Sequence, residues 1–387
     1  MIYFDNAATS YPKPKEVIEA IIDFTENIGA SPGRSGHRLS IEAGRILYQC
    51  RENLAELFNV SDPLRIIFTL NITEAINLVL RGLLHRGDHV LTSSMEHNAV
   101  MRPLRELEKN GVQVQVISCS ADGTLDPEDI NKAIKENTAL IVLNHASNVT
   151  GTLLPIRSVG EIARKSNILF LVDAAQTAGA CPIDIVKNNI DLLAFTGHKG
   201  LFGPTGTGGL VIGERVNIQR IIPLKTGGTG SRSESEIHPD FLPDRYESGT
   251  PNIAGIAGLN AGIRYILKRG IKQIYQQELS LTDKLISGLK EIPGIIVYGK
   301  NSIENRVAVV SFNIQHQSPS DIGLKLDEDH DLMCRVGLHC SPASHKTIGT
   351  FPTGTVRFSM SIFNTNEDIK KAVRVVSKIA KGNKQKG

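Results

Sequence analysis

The sequence predicts an α/β protein: a mostly parallel seven-stranded sheet covered by helices, with a smaller α+β domain at the C-terminal end. Three observations carry that expectation. From Arg65 to Ile212 short apolar runs alternate with single amphipathic stretches, which is how the right-handed crossovers of a parallel sheet read in sequence. After Gly255 the rhythm changes to one long helical stretch followed by strands with no helices between them. Finally, 387 residues exceed what one small core needs and suggest about two domains. The expected limits are residues 16–255 for the large domain, and 1–15 with 256–387 for the small one.

In chain order, a short strand at the start runs into the small polar segment Ala7-Ala8-Thr9-Ser10, closed by Pro12 and Pro14. Helical periodicity covers 15–27. A Gly/Ser/Arg-rich loop spans 29–37, and a second helix runs to about Phe58. Strands are expected at 65–69, 89–92, 112–117, 140–144, 169–173, 191–195 and 209–212, with helices at 73–84, 101–110, 127–135 and 159–165. Beyond these come a helix over 256–289, strands at 295–298, 307–313 and 355–359, and a last helix from Asn366. The connection 331–353 is rich in Gly, His, Ser and Pro, the composition of a functional loop.

Composition excludes several function classes. A net charge of +3, with no dense basic face interleaved with aromatics, gives no support for a nucleic-acid partner. The basic end 381–387 reads as a frayed tail. There is no charged leader with an apolar core, and no apolar run approaches the roughly 20 residues of a membrane span. The five cysteines are odd in number and form no Cys-x-x-Cys pair, which disfavours a disulfide framework and a structural zinc site alike. The expectation is a soluble, cytoplasmic protein without a metal centre or membrane contact.

The chemistry-bearing residues fall at the ends of the expected strands, where the ligands of such sheets sit. Lys199 lies in Thr196-Gly-His-Lys-Gly, at the end of an apolar strand and hemmed in by glycine. A fixed amine of this kind suits a Schiff base, for which pyridoxal phosphate is the commonest partner; an ordinary turn is the bland alternative. Asp173 follows four apolar residues, as a helix cap or as a buried carboxylate that keeps a pyridine nitrogen protonated. Thr73 stands at a strand-to-helix junction, a capping turn or an anion site that Thr196 and His198 could complete. His97 could stack on a ring or be structural. Asn148 could donate to a phenolate oxygen. Arg357 alternates with apolar neighbours on a small-domain strand and calls for an anion, such as a substrate carboxylate. Cys340 lies in a mobile polar loop, where Arg335 and His339 would favour its thiolate.

Taken in order, His97, Asn148, Asp173-Ala-Ala-Gln176, Thr196-Gly-His198-Lys199, Gly249-Thr250-Pro-Asn and Arg357 resemble the class V aminotransferases of pyridoxal fold type I. Within that group, Arg335-x-Gly-x-His-Cys340 is similar to the cysteine desulfurases and selenocysteine lyases with the short active-site loop. The resemblance runs from Phe4 to Thr365, nearly the whole chain. It implies pyridoxal 5'-phosphate held by Lys199 as a Schiff base, with Lys199 later moving the α-proton. Asp173 would pair with the pyridine nitrogen, Gln176 and Asn148 with the phenolic oxygen, and His97 would stack over the ring. Thr73, Thr196 and His198 would bind the phosphate, joined by Thr250 from the second subunit of a homodimer with shared sites. Asn6 and Arg357 would hold the carboxylate of L-cysteine or L-selenocysteine, and Cys340 would take the sulfur and pass it to an acceptor protein. Ile72, Leu338 and Ser341-Pro342 depart from the family pattern and leave the substrate preference open. The pathway stays open too, whether iron–sulfur cluster assembly, thiolated nucleosides or other cofactors. Two rival readings remain: a carbon–sulfur lyase that does not need Cys340, and a non-catalytic partner protein of the same fold.

Overall fold

The computed structural model describes residues 1–33, 36–300 and 302–382. Residues 34 and 35 of the Gly/Ser/Arg-rich loop and the basic tail from 383 lie outside them. β1 (Ile2–Tyr3), α1 (Lys15–Asp23) and α2 (Arg38–Phe58) open the chain. Then come β2 (Ile66–Thr69), α3 (Ile72–Leu83), β3 (His89–Ser93), α4 (Asn98–Lys109), β4 (Gln113–Ile117) and α5 (Pro127–Ala133). β5 (Thr138–Asn144), α6 (Ile156–Lys165), β6 (Leu169–Asp173), β7 (Leu192–Thr196) and β8 (Gly208–Ile212) complete the series. Two long helices follow, α7 (Ile253–Arg269) and α8 (Ile271–Lys290). The rest is β9 (Ile295–Tyr298), β10 (Val309–Ile314), α9 (Pro319–Glu328), β11 (Leu332–Met333), β12 (Arg335–Gly337), α10 (Pro342–Thr347), β13 (Thr355–Ser359) and α11 (Asn366–Gly382).

The seven-stranded sheet has the order β2-β8-β7-β6-β5-β3-β4, and its strands are parallel except for β8, which runs against both β2 and β7. Its strands are apolar on both faces because helices cover both. Successive residues of β6 therefore enter opposite layers: Phe170 and Val172 pack in one core, Leu171 in the other. The chain leaves β3 for β4 at the sheet edge and returns to β5 on the other side of β3. That reversal opens a crevice at the carboxyl ends of β3 and β5, the place where open α/β sheets bind ligands.

The long helix expected over 256–289 is two helices. Gly270, with φ of 86°, ends α7 in a conformation that a residue with a Cβ rarely adopts. Ile256, Leu259, Ile263 and Ile266 of α7 pack in the core of the large domain, so the expected handover at 255/256 falls inside this helix.

The smaller domain carries an antiparallel sheet of order β12-β13-β10-β9, while β1 pairs in parallel with β11. Its core joins Phe312 and Phe358 to Leu285 and Val376 of the flanking helices. The connection 331–353 is not the open loop its composition suggests; it holds β11, β12 and α10. Its two histidines are buried and find partners inside the fold: the His339 ring pairs with the Thr355 hydroxyl at 3.0 Å and His345 with Thr350 at 2.7 Å. Among the described residues no helix is long and apolar enough to cross a membrane.

Candidate active site

Lys199 stands three residues past the fully buried strand β7, in a turn held from outside the sheet. The carbonyl of His198 accepts from the Ser10 amide (3.0 Å), the Thr9 hydroxyl (3.1 Å), the Ser10 hydroxyl (3.2 Å) and the Lys13 amine (2.8 Å). The flanking glycines are required by close packing within the fold. A Cβ on Gly197 would lie 2.1 Å from the Thr207 hydroxyl, and one on Gly200 2.6 Å from the Ala178 carbonyl. Burial pushes the Lys199 amine down to about 8, Arg357 and Arg335 push the same way, and Asp173 opposes them. Such an amine is available in its neutral, nucleophilic form near neutral pH.

The other large-domain groups come from neighbouring strand ends. Asp173 ends β6 and is buried; burial raises its carboxyl, while the Ala175 amide (2.8 Å) and Lys199 favour its charge. His97 caps α4 just past β3. Its Nδ1 accepts from the Ala99 amide at 3.0 Å, which places the proton on Nε2, and burial beside Lys199, Arg335, Arg102 and Arg357 holds the ring down at about 4. It is therefore a neutral ring at working pH. Gln176 donates to the Ala7 carbonyl at 3.1 Å and lines a small cavity of about 40 Å³ with Lys199 and Asn6.

The expected phosphate groups spread along one sheet edge. Thr196 of β7 and Thr69 of β2 both pair with Gly208 of β8, which sets the N-terminus of α3, with exposed Thr73, two strands from Thr196, about 10 Å. The Thr196 hydroxyl and His198 Nδ1 are buried without hydrogen-bond partners. Thr250 lines a separate cavity beside this edge, with Thr69, Leu70, Glu74 and Gly206.

The smaller domain brings the charges. Arg357 is 1% exposed. Its Nη2 pairs with Asp5 at 2.7 Å, its Nη1 donates to the Asn148 carbonyl at 3.1 Å, and its Nε has no partner. Arg335 faces Arg357 in the β12–β13 register, so two cationic residues share one face of this sheet, one paired with Asp5 and the other reaching Cys340. Asn6 is buried; it donates to the Ser359 carbonyl at 3.0 Å and accepts from the Tyr11 amide at 3.2 Å. The Cys340 sulfur is exposed and takes a contact from Arg335 Nη2 at 3.6 Å. Its neighbour His339 does not help the thiolate as the sequence suggests: burial among Arg357, His345 and Arg335 drives the ring down to about 2, so it is uncharged. The Asn148 carboxamide turns toward the cysteine segment, with Nδ2 on the His339 carbonyl and Oδ1 on the Ser341 hydroxyl, both at 2.7 Å.

Lys199, Asp173, His97, Gln176, Asn148, Asn6, Arg357 and Cys340 thus gather around the carboxyl ends of β3, β5, β6 and β7. Thr73 and Thr250 stand at the edge. Sequence reading missed Asp5, whose only signal is that it adjoins Asn6, and Lys13, an amine between two prolines.

The chain matches the model of the Aminotransferase class-V family over residues 2–372. It belongs to that family. A probable cysteine desulfurase from Pyrococcus abyssi is 37% identical over 386 residues, covering 98% of this chain and 94% of the relative. One from Methanothermobacter thermautotrophicus is 36% identical over 384 residues, with the same coverage. Among solved structures, the apo cysteine desulfurase from Thermococcus onnurineus superposes with a TM-score of 0.91 at 36% identity, covering 98% of this chain and 95% of that one.

Proposed function

We propose that this chain is a cysteine desulfurase that uses pyridoxal 5'-phosphate to convert L-cysteine to L-alanine and keeps the sulfur as a persulfide on Cys340. The observation that carries the reading is the meeting of a low-pKa lysine and a buried aspartate from one domain with an arginine pair and an exposed cysteine from the other.

The residues fit the cofactor. Buried polar atoms nearly always have partners, yet the Thr196 hydroxyl, His198 Nδ1 and Arg357 Nε have none within the protein. Thr196, His198 and Thr73 would hold the phosphate, Asp173 the pyridine nitrogen, and Gln176 and Asn148 the phenolic oxygen, with His97 over the ring. When bound, pyridoxal phosphate supplies an electron sink for charge developing at the substrate α-carbon.

The chain's own groups do the rest. Lys199 holds the cofactor and then moves the α-proton. Arg357 and Asn6 orient the substrate carboxylate, with Asp5 holding one side of the Arg357 guanidinium in place. The Cys340 sulfur, which Arg335 contacts, attacks as its thiolate and forms an S–S bond to the substrate sulfur as the carbon–sulfur bond breaks. The electron pair of that bond stays with the amino-acid skeleton, which takes a proton and leaves as L-alanine. An exposed sulfur can then hand its cargo to an acceptor protein in the cytoplasm. Homodimerisation belongs to the proposal: Leu70 and Leu224 stand exposed on the cavity that Thr250 lines, and a second subunit seated there would cover them.

The test is to incubate the loaded protein with L-cysteine and weigh the Cys340 peptide, alongside Cys340→Ser. The expected result is one extra sulfur on wild type and loss of desulfuration in the variant. Unchanged turnover of L-cysteine by Cys340→Ser would sink the persulfide step.

A further inference from the structure

Cys340 is displayed from a costly backbone. His339 and Cys340 have φ of 49° and 57°, two consecutive residues in the left-handed region that side chains with a Cβ disfavour. Such conformations persist where the surroundings over-determine them.

Here the determinants converge on one residue. Asn148 Nδ2 donates to the His339 carbonyl and Asn148 Oδ1 accepts from the Ser341 hydroxyl, each at 2.7 Å. A single carboxamide therefore holds the residue before the cysteine and the residue after it. The Cys340 carbonyl between them accepts from the Asn98 amide at 2.9 Å, at the start of the helix that His97 caps. Asn148 is itself fixed, because its carbonyl accepts from Arg357 at 3.1 Å.

We propose that Asn148 is a positioning residue for Cys340, locking the cysteine segment to the arginine that would hold the substrate carboxylate. An amide nitrogen has two hydrogens and only one is spent on His339, so the lock leaves a donor for the ring side of the site. This rests on the desulfurase reading for its purpose, but the lock exists in the bare chain. Geometry of this kind matters to sulfur transfer because the thiolate must reach the substrate sulfur while the carboxylate stays gripped; misplacement by about 1 Å costs roughly a hundredfold in rate.

The test compares wild type, Asn148→Ala and Ser341→Ala by hydrogen exchange of residues 338–348 in cofactor-free protein. Asn148→Ala is expected to speed exchange of that segment about tenfold and Ser341→Ala about threefold, the loss of two hydrogen bonds and of one. In loaded protein, Ser341→Ala is expected to keep the visible absorbance of bound pyridoxal phosphate and the KM for L-cysteine while kcat falls about threefold. Segment exchange equal to wild type in both variants, or a uniform rise across the whole chain, would overturn the proposal; should Asn148→Ala not fold, Ser341→Ala decides. Because exchange is read without cofactor or substrate, a wild type that gains no sulfur on Cys340 sinks the desulfurase reading separately and leaves this comparison decisive for the lock.

Discussion

The two sheets deliver functional groups in different ways. In the seven-stranded sheet each group follows a strand end: His97 after β3, Asp173 closing β6, Lys199 after β7. Each is placed by a buried strand and the turn it feeds, with the Lys199 turn further held by Thr9, Ser10 and Lys13. The smaller domain works through distant contacts. Arg357 sits mid-strand and is aimed by Asp5, 352 residues away in sequence, and Cys340 by Asn148. The first arrangement places His97, Asp173 and Lys199 at neighbouring strand ends. The second ties Arg357 and the Cys340 segment to the large domain through Asn148.

Removing a strand-end group should therefore have the largest effect. Lys199→Ala is expected to abolish L-cysteine turnover, with about 10²–10⁴-fold lost from proton transfer alone, and to abolish the visible absorbance of bound pyridoxal phosphate. A variant that keeps more than a tenth of the turnover would show that the large-domain turn is not where the reaction starts.

A smaller-domain group should behave differently. Arg357→Lys keeps the charge and loses the planar fork, so KM for L-cysteine should rise about 10–100-fold, the worth of one charge-assisted contact, with a much smaller change in kcat. Steady-state kinetics separates the two. If kcat falls and KM holds, Arg357 is acting on the reaction centre, and the division of labour between the domains is wrong.

The same division explains what could be read from the sequence. The strands of the large sheet are legible because each is a short apolar run bounded by turn residues. The placement of Lys199, Asp173 and His97 is legible because each follows such a run. The connection 331–353 was not, since its polar composition describes a loop equally well whether its groups face water or each other; long-range partners such as Thr355 for His339 and Asn148 for Ser341 make it a packed segment. For the same reason His339 reads as an ally of the thiolate in sequence, and burial removes its charge. The break at Gly270 was visible as a glycine, but helices also tolerate glycine within them. Asp5 as the partner of Arg357 was beyond reach, because no local signal links residues that far apart.

Glu278 tests the seam between the two regions with the smallest effect. It is 6% exposed, and it lines the cavity shared by Lys199 and Ser359. The amide of Ile362 favours its charge, but burial dominates and pushes the carboxyl up to about 8. The native state therefore keeps this proton where the unfolded chain, ionising near 4.5, has lost it. Stability contributed by the site is full below about pH 4.5 and is lost as pH rises toward 8, with a slope of up to about 1.4 kcal/mol per pH unit. Glu278→Gln removes the proton without removing the shape. Its Tm should exceed that of wild type by about 3 °C at pH 8, and the advantage should vanish near pH 5. Parallel melting curves for the two proteins across that range would mean that Glu278 stays ionised in the fold, with a compensating cation that the seam between the domains supplies.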